Sequence, residues 1–200
     1  MARILLGLLS VVVTASAWAA TPRTVLVFGD SLSAGYGLRR EEAWPVLLQQ
    51  KLGTNWQVVN ASVSGETTAG GLTRLPAALK EHKPAIVIIE LGANDGLRGL
   101  PLDSARKNLA SMIELDQAAG AKTLLISMQM PPNFGAAFTT KFSAMFNDLA
   151  QTYKLPKPPF LLDGIADKPE LFQADQLHPV ARAEGTVRDN VLKGLTPLLK

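Results

Sequence analysis

Apolar positions along the chain fall into two alternating patterns. Short continuous runs stand at Thr24–Phe28, Val58–Val59, Ala85–Leu91, Lys122–Ser127 and Phe160–Leu162. The third run is β-branched and apolar on both faces, as a central parallel strand must be; the fifth is the weakest. Between them the spacing changes to the helical period. Trp44, Leu47, Leu48 and Leu52 make one stripe, which Gly53 stops. Leu102, Ala105, Leu109, Met112 and Ile113 make another, closed by Gly120; Phe138, Phe142, Met145, Phe146 and Leu149 make a third. Ala183, Val187, Val191 and Leu195 make the last, and a weaker helix is expected over about 71–81. The aromatic stripe at helical spacing reads as core packing.

Five β runs alternating with helices predict an α/β fold with a parallel sheet covered on both faces. At 200 residues, without repeat, low-complexity tract or interdomain linker, the chain predicts one domain after its first 20 residues. Pro156–Pro159 reads as a short connection into the last run. In such sheets ligands sit at the carboxyl ends of the strands, which is where chemistry is to be sought.

The first 20 residues follow another logic. Arg3 supplies a positive charge, Ile4–Val13 is an apolar run too short for a comfortable membrane span, and Ala17-Trp18-Ala19 is an A-x-A cleavage pattern. This is the layout of a secretory signal peptide, with an uncleaved interfacial anchor as the alternative. Cleavage after Ala19 or Ala20 leaves a chain that starts near Thr21, lies in the periplasm or outside the cell, and has no stable membrane span.

Composition narrows the chemistry. With no cysteine, disulfides, thiolate zinc sites, a cysteine nucleophile and a lipid-modified N-terminal Cys are all excluded. Two histidines, His82 and His178, exclude a His-rich metal centre. The 20 basic and 17 acidic residues give a net charge of +3 and are scattered, so no nucleic-acid partner is expected.

The unusual residues stand at the strand ends. The first run leads into Gly29-Asp30-Ser31-Leu32, where a serine one step past a strand is either presented on a tight turn or merely caps a helix. The second leads to Gly65, which either lets a backbone N–H approach a reacting oxygen or simply makes a turn. The third ends in Gly92-Ala93-Asn94-Asp95, where an Asn side chain has two N–H groups to donate or forms an Asx turn. Asp30 and Asp95 are expected to brace these loops by hydrogen bonds. Asp175-Gln176-Leu177-His178 precedes the last helix; the carboxylate three residues back can reach the imidazole, either to orient a base or as a structural capping pair. His82 stands in a polar turn entering the third strand, at the opposite end of the sheet, so His178 is the candidate base.

These four pieces, in this order, resemble the blocks of the SGNH or GDSL-type hydrolase superfamily, named for Ser, Gly, Asn and His. Phe28–Gly37 and Asn60–Thr68 are similar to the bacterial thioesterase I/protease I/lysophospholipase subfamily, which includes secreted arylesterases. Met130–Gly135 is similar to a subfamily segment that usually carries Tyr where Phe134 stands, and Phe138 also sits where Tyr is common. The resemblance implies a flavodoxin-like three-layer α/β/α sandwich with five parallel strands in the order 2-1-3-4-5. It also implies a serine esterase and thioesterase with Ser31, His178 and Asp175 as catalytic triad. The Ser31 N–H, Gly65 N–H and Asn94 side chain would form the oxyanion hole. The Gly96–Pro101 loop, with Leu97 and Leu100, would border the substrate, and the segment containing Phe134 and Phe138 would supply another wall. No cofactor or metal is implied. The expected partner is a small-molecule acyl ester or thioester, met by a monomer. Competing readings are the same machinery acting on acetylated sugars, acyl transfer to an alcohol, or a non-catalytic flavin- or phosphate-binding module.

Overall fold

The computed structural model describes residues 22–200. The signal-peptide expectation over residues 1–20 lies outside them. Strand β1 (Arg23–Gly29) pairs in parallel with β2 (Trp56–Asn60) on one side and β3 (Ile86–Glu90) on the other; β3 pairs with β4 (Lys122–Leu125). The order is therefore 2-1-3-4. Every residue of β3 is buried, as a strand with neighbours on both edges and helices on both faces requires.

The helices in chain order are α1 (Ser31–Ala34), α2 (Trp44–Leu52), α3 (Thr68–His82), α4 (Ala93–Leu97), α5 (Leu102–Ala118), α6 (Ala136–Thr152) and α7 (Glu184–Leu195). The four apolar stripes read in the sequence are the core-facing sides of α2, α5, α6 and α7, with Ala183 at the N-cap of α7 and Leu47, Leu52, Leu102 and Phe138 half-buried. Leu48, Leu109, Met112, Phe142, Phe146 and Val191 join the strand residues in one hydrophobic cluster. The weak helix expected over 71–81 is the longer α3, whose start is fixed by the Thr67 hydroxyl accepting the Gly70 N–H.

The expected fifth strand is not formed; among the described residues four strands make the sheet. Phe160 contributes a single parallel bridge to Ser127, with the Ser127 N–H on the Pro159 carbonyl (2.9 Å) and the Leu161 N–H on the Ser127 carbonyl (3.2 Å). The bridge cannot grow backwards, because Pro158 and Pro159 have no N–H to donate. It cannot grow forwards, because the chain turns at once, with the Asp163 N–H on the Phe160 carbonyl (3.3 Å) and the Ile165 N–H on that of Leu162 (3.1 Å).

Candidate active site

Ser31 is the first residue of α1, delivered by the fully buried Val25–Phe28 stretch of β1. Of the two roles open to it, the capping role falls to Asp30, whose carboxylate accepts the Leu32 N–H (3.0 Å). Ser31 is left half-buried, and its N–H has no acceptor among the described residues. The loop after β2 is laced to this turn: the Val63 N–H donates to the Gly29 carbonyl (3.0 Å), the Gly29 N–H to the Ser62 hydroxyl (3.0 Å), and the Asn60 amide to the Ser33 carbonyl (2.8 Å). That loop holds Gly65 at φ +77°, a conformation that favours glycine, with an N–H that meets no acceptor among the described residues.

Asn94 lies in the first turn of α4, just past β3. Its amide donates to Asp30 Oδ2 (2.9 Å), which occupies one N–H and leaves a second. The next residue, Asp95, is buried and receives both the N–H (2.9 Å) and the hydroxyl (2.6 Å) of Thr68. Arg98, closing α4, donates to the Gly65 carbonyl (2.8 Å). The loops after β1, β2 and β3 are thus tied together through side chains.

His178 comes from the far end of the chain, on a tight loop before α7. The loop is closed by an antiparallel bridge between Phe172 and Pro179, with the Gln173 N–H on the His178 carbonyl (2.7 Å) and the Val180 N–H on the Leu171 carbonyl (2.9 Å). Inside it, Asp175 Oδ1 accepts the N–H groups of Leu177 (2.9 Å) and His178 (3.1 Å), while Oδ2 lies 2.7 Å from His178 Nδ1. On the other side of the ring, His178 Nε2 lies 2.8 Å from Ser31 Oγ. Burial would raise the Asp175 carboxyl, but the Leu177 N–H, the two bonds from His178 and its charge together hold it down at about 2. It is therefore an anion throughout the neutral range. His82 sits in the last turn of α3, away from this site.

Ser31, Asn94 and His178 line one cavity of about 530 Å³. Its walls are largely apolar, with Leu97, Met128, Met130, Phe160 and Leu162 among them. Of the four residues expected at the substrate, Leu97 lines this cavity. Leu100 is exposed on the loop beyond it. Phe134 and Phe138 are not in the lining; they continue a stack (ring centroids 6.1 Å apart) that runs through Phe138–Phe142 (6.3 Å) into the core. Gly65 lies outside the lining as well.

Two features of the site had no role in the sequence reading, although Tyr36 lies within the Phe28–Gly37 block. The exposed Tyr36 ring leans on the His178 imidazole at 4.6 Å between centroids, its carbonyl held by the Gln173 amide (2.8 Å). Glu90, inside a strand that otherwise reads as wholly apolar, is completely buried and receives the Ser33 hydroxyl (2.7 Å) and the Asp30 N–H (3.3 Å). Its one signal in the sequence is that it is a single acid in a run whose neighbours all belong to the core.

Residues 27–184 match the model of the GDSL-like lipase/acylhydrolase family. The chain belongs to this family. It is a carboxylic ester hydrolase of the GDSL type. Its relatives include a Pseudomonas aeruginosa protein named Esterase TesA, 46% identical over 183 residues that cover 90% of this chain and 91% of the relative. Another, from Escherichia coli K12, is named Thioesterase 1/protease 1/lysophospholipase L1 and is 41% identical over 181 residues, 90% of this chain and 87% of the relative. A crystal structure of TesA superimposes with a TM-score of 0.84 at 45% identity, covering 88% of this chain and 99% of that one.

Proposed function

We propose that this GDSL hydrolase cleaves aryl esters, short- to medium-chain acyl esters and acyl thioesters through an acyl enzyme on Ser31. The observation that carries the reading is the continuous chain of contacts from Asp175 through His178 to Ser31, at 2.7 and 2.8 Å, opening on the cavity that Asn94 also lines. In this mechanism Ser31 Oγ attacks the acyl carbonyl carbon while His178 Nε2 takes its proton. The Asp175 carboxylate holds the Nδ1–H tautomer and stabilises the imidazolium. The oxyanion is received by the N–H groups of Ser31 and Gly65 and by the second N–H of the Asn94 amide. Collapse expels the alcohol or thiol, which takes the proton from His178. Water then attacks the acyl-serine by the same route, returning the proton to Ser31.

The apolar walls around Leu97, Met128 and Met130 suit an acyl chain, and the named activities of the relatives, which include thioesterase and lysophospholipase, support the same substrate classes. Among the described residues no helix is long and apolar enough to cross a membrane. The proposal includes export of a monomer, with residues 1–20 as signal peptide and residues 21–200 as the hydrolase domain. The test is turnover of p-nitrophenyl esters and acyl-CoA thioesters by wild type and Ser31→Ala. Wild type hydrolyses both classes, and the variant loses at least about a thousandfold in kcat. A folded Ser31→Ala that turns over at the wild-type rate overturns the proposal.

A further inference from the structure

We propose that Glu90 is a positioning residue of this site: a buried, protonated carboxyl that holds the Asp30 carboxylate and, through it, the Asn94 amide. The inference rests on the serine-hydrolase reading above. Glu90 ends β3 directly beside Gly29 in the sheet register. Its Oε2 receives the backbone N–H of Asp30, the residue before the nucleophile, and the hydroxyl of Ser33 in α1. Oε1 is buried and accepts no hydrogen bond, and the Glu90 carboxyl lies within hydrogen-bonding reach of the Asp30 carboxyl. The turn that carries Ser31 is therefore gripped from below at two points. The grip also explains the glycine at position 29, since a Cβ there would stand 2.6 Å from Glu90 Oε2 and 2.8 Å from Ser33 Oγ.

The protonation state follows from the neighbours. The ionisable group facing Glu90 is the Asp30 carboxyl, itself 1% exposed, and no ion pair reaches either acid among the described residues. Two adjacent buried carboxyls do not both ionise at a tolerable cost. Asp30 has the better claim to the charge: it accepts the Leu32 N–H and the Asn94 amide, and it faces the His178 ring. Burial and the charge of Asp30 push Glu90 well above the usual carboxyl range, while burial, partly offset by those bonds, leaves Asp30 at about 6. A proton on Glu90 turns a repulsive pair into a hydrogen bond. It also leaves Asp30 as a pure acceptor for Asn94 Nδ2, which aims the second N–H of that amide.

The test uses Glu90→Gln and Glu90→Met, with Ser31→Ala as reference, on p-nitrophenyl butyrate. A glutamine reproduces what a neutral acid does, because its oxygen accepts from Asp30 and Ser33 and its NH2 donates to Asp30. Glu90→Gln is expected to keep kcat within about threefold of wild type, whereas Glu90→Met, still melting cooperatively, loses roughly 10- to 100-fold in kcat with KM within about twofold. A folded Glu90→Met with wild-type kcat, or a folded Glu90→Gln as impaired as Glu90→Met, overturns the proposal. Infrared spectra at neutral pH decide the matter if Glu90→Met does not fold: a protonated-carboxyl stretch lost in Glu90→Gln supports it, and identical spectra overturn it. If Ser31→Ala remains active the underlying reading fails; if Ser31→Ala is inactive and Glu90→Met is not impaired, the role of Glu90 alone fails.

Discussion

Replacing Asp175 by asparagine tests the orientation of His178 more sharply than deleting the side chain. Asp175 Oδ1 is bound to two backbone donors, the N–H groups of Leu177 and His178, so an asparagine must place its oxygen there. Its NH2 then occupies the place of Oδ2, 2.7 Å from His178 Nδ1, and donates to that nitrogen. Nδ1 becomes an acceptor, the ring proton moves to Nε2, and the atom 2.8 Å from Ser31 Oγ can no longer take a proton. The carboxylate charge that stabilises the imidazolium is lost as well. The same exchange in the triad of a serine protease lowers kcat by about 10⁴, and the same order, about 5 kcal/mol of barrier, is expected here. Asp175→Ala removes the charge without imposing the wrong tautomer, so it is expected to be the less damaged of the two. The assay is kcat on p-nitrophenyl butyrate near neutral pH, with circular dichroism to confirm that both variants fold. Asp175→Asn at or above the rate of Asp175→Ala refutes the tautomer argument.

Asn94→Ala removes a side-chain donor and is expected to lower kcat by about 100- to 1000-fold with little change in KM; unaltered turnover would remove Asn94 from the oxyanion hole. Glu184 is buried against the Trp44 N–H (2.7 Å), and desolvation, partly countered by that bond, raises its carboxyl from 4.5 to about 7. A pKa raised on folding means stability that is complete below pH 4.5 and is lost as pH rises through 7, so Glu184→Gln is expected to stabilise the fold by about 3 kcal/mol above pH 7 and not at pH 4. Thermal melts of both proteins at pH 4 and pH 8 check this, and an equal effect at the two pH values contradicts it. Asp116, buried with one bond from Thr123 (2.9 Å) and raised by desolvation to about 7, calls for the same behaviour in Asp116→Asn.

The sheet was legible wherever a strand is apolar on both faces. β1 and β3 announce themselves through Val25–Phe28 and Ile86–Ile89, which the fold buries completely. Phe160–Leu162 has the same apolar look, but the absence of amide donors at Pro158 and Pro159 decides its pairing, and hydrophobic pattern does not register that. The nearness of Ser31 and Asn94 was legible because strand ends of a parallel sheet share one edge, whereas His178, 147 positions from Ser31 and on a loop before α7, was placed with them by the family resemblance. What lies beneath them was not. Glu90 looks like a strand residue until its partners are known, and Phe134 and Phe138, half-buried, stack toward Phe142 at the edge of the core outside the cavity lining. Side-chain direction on a loop or helix is set by packing across the sheet, which no local pattern encodes.

Everything proposed for this site depends on Ser31 carrying the acyl group. Mass spectrometry of the wild-type protein and Ser31→Ala after exposure to a fluorophosphonate, followed by peptide mapping, reads that directly. One adduct per wild-type chain is expected, on the peptide at Ser31, forming as turnover disappears, with none in the variant. An adduct that persists in folded Ser31→Ala, or wild-type turnover that survives complete labelling of Ser31, would contradict the acyl-serine mechanism.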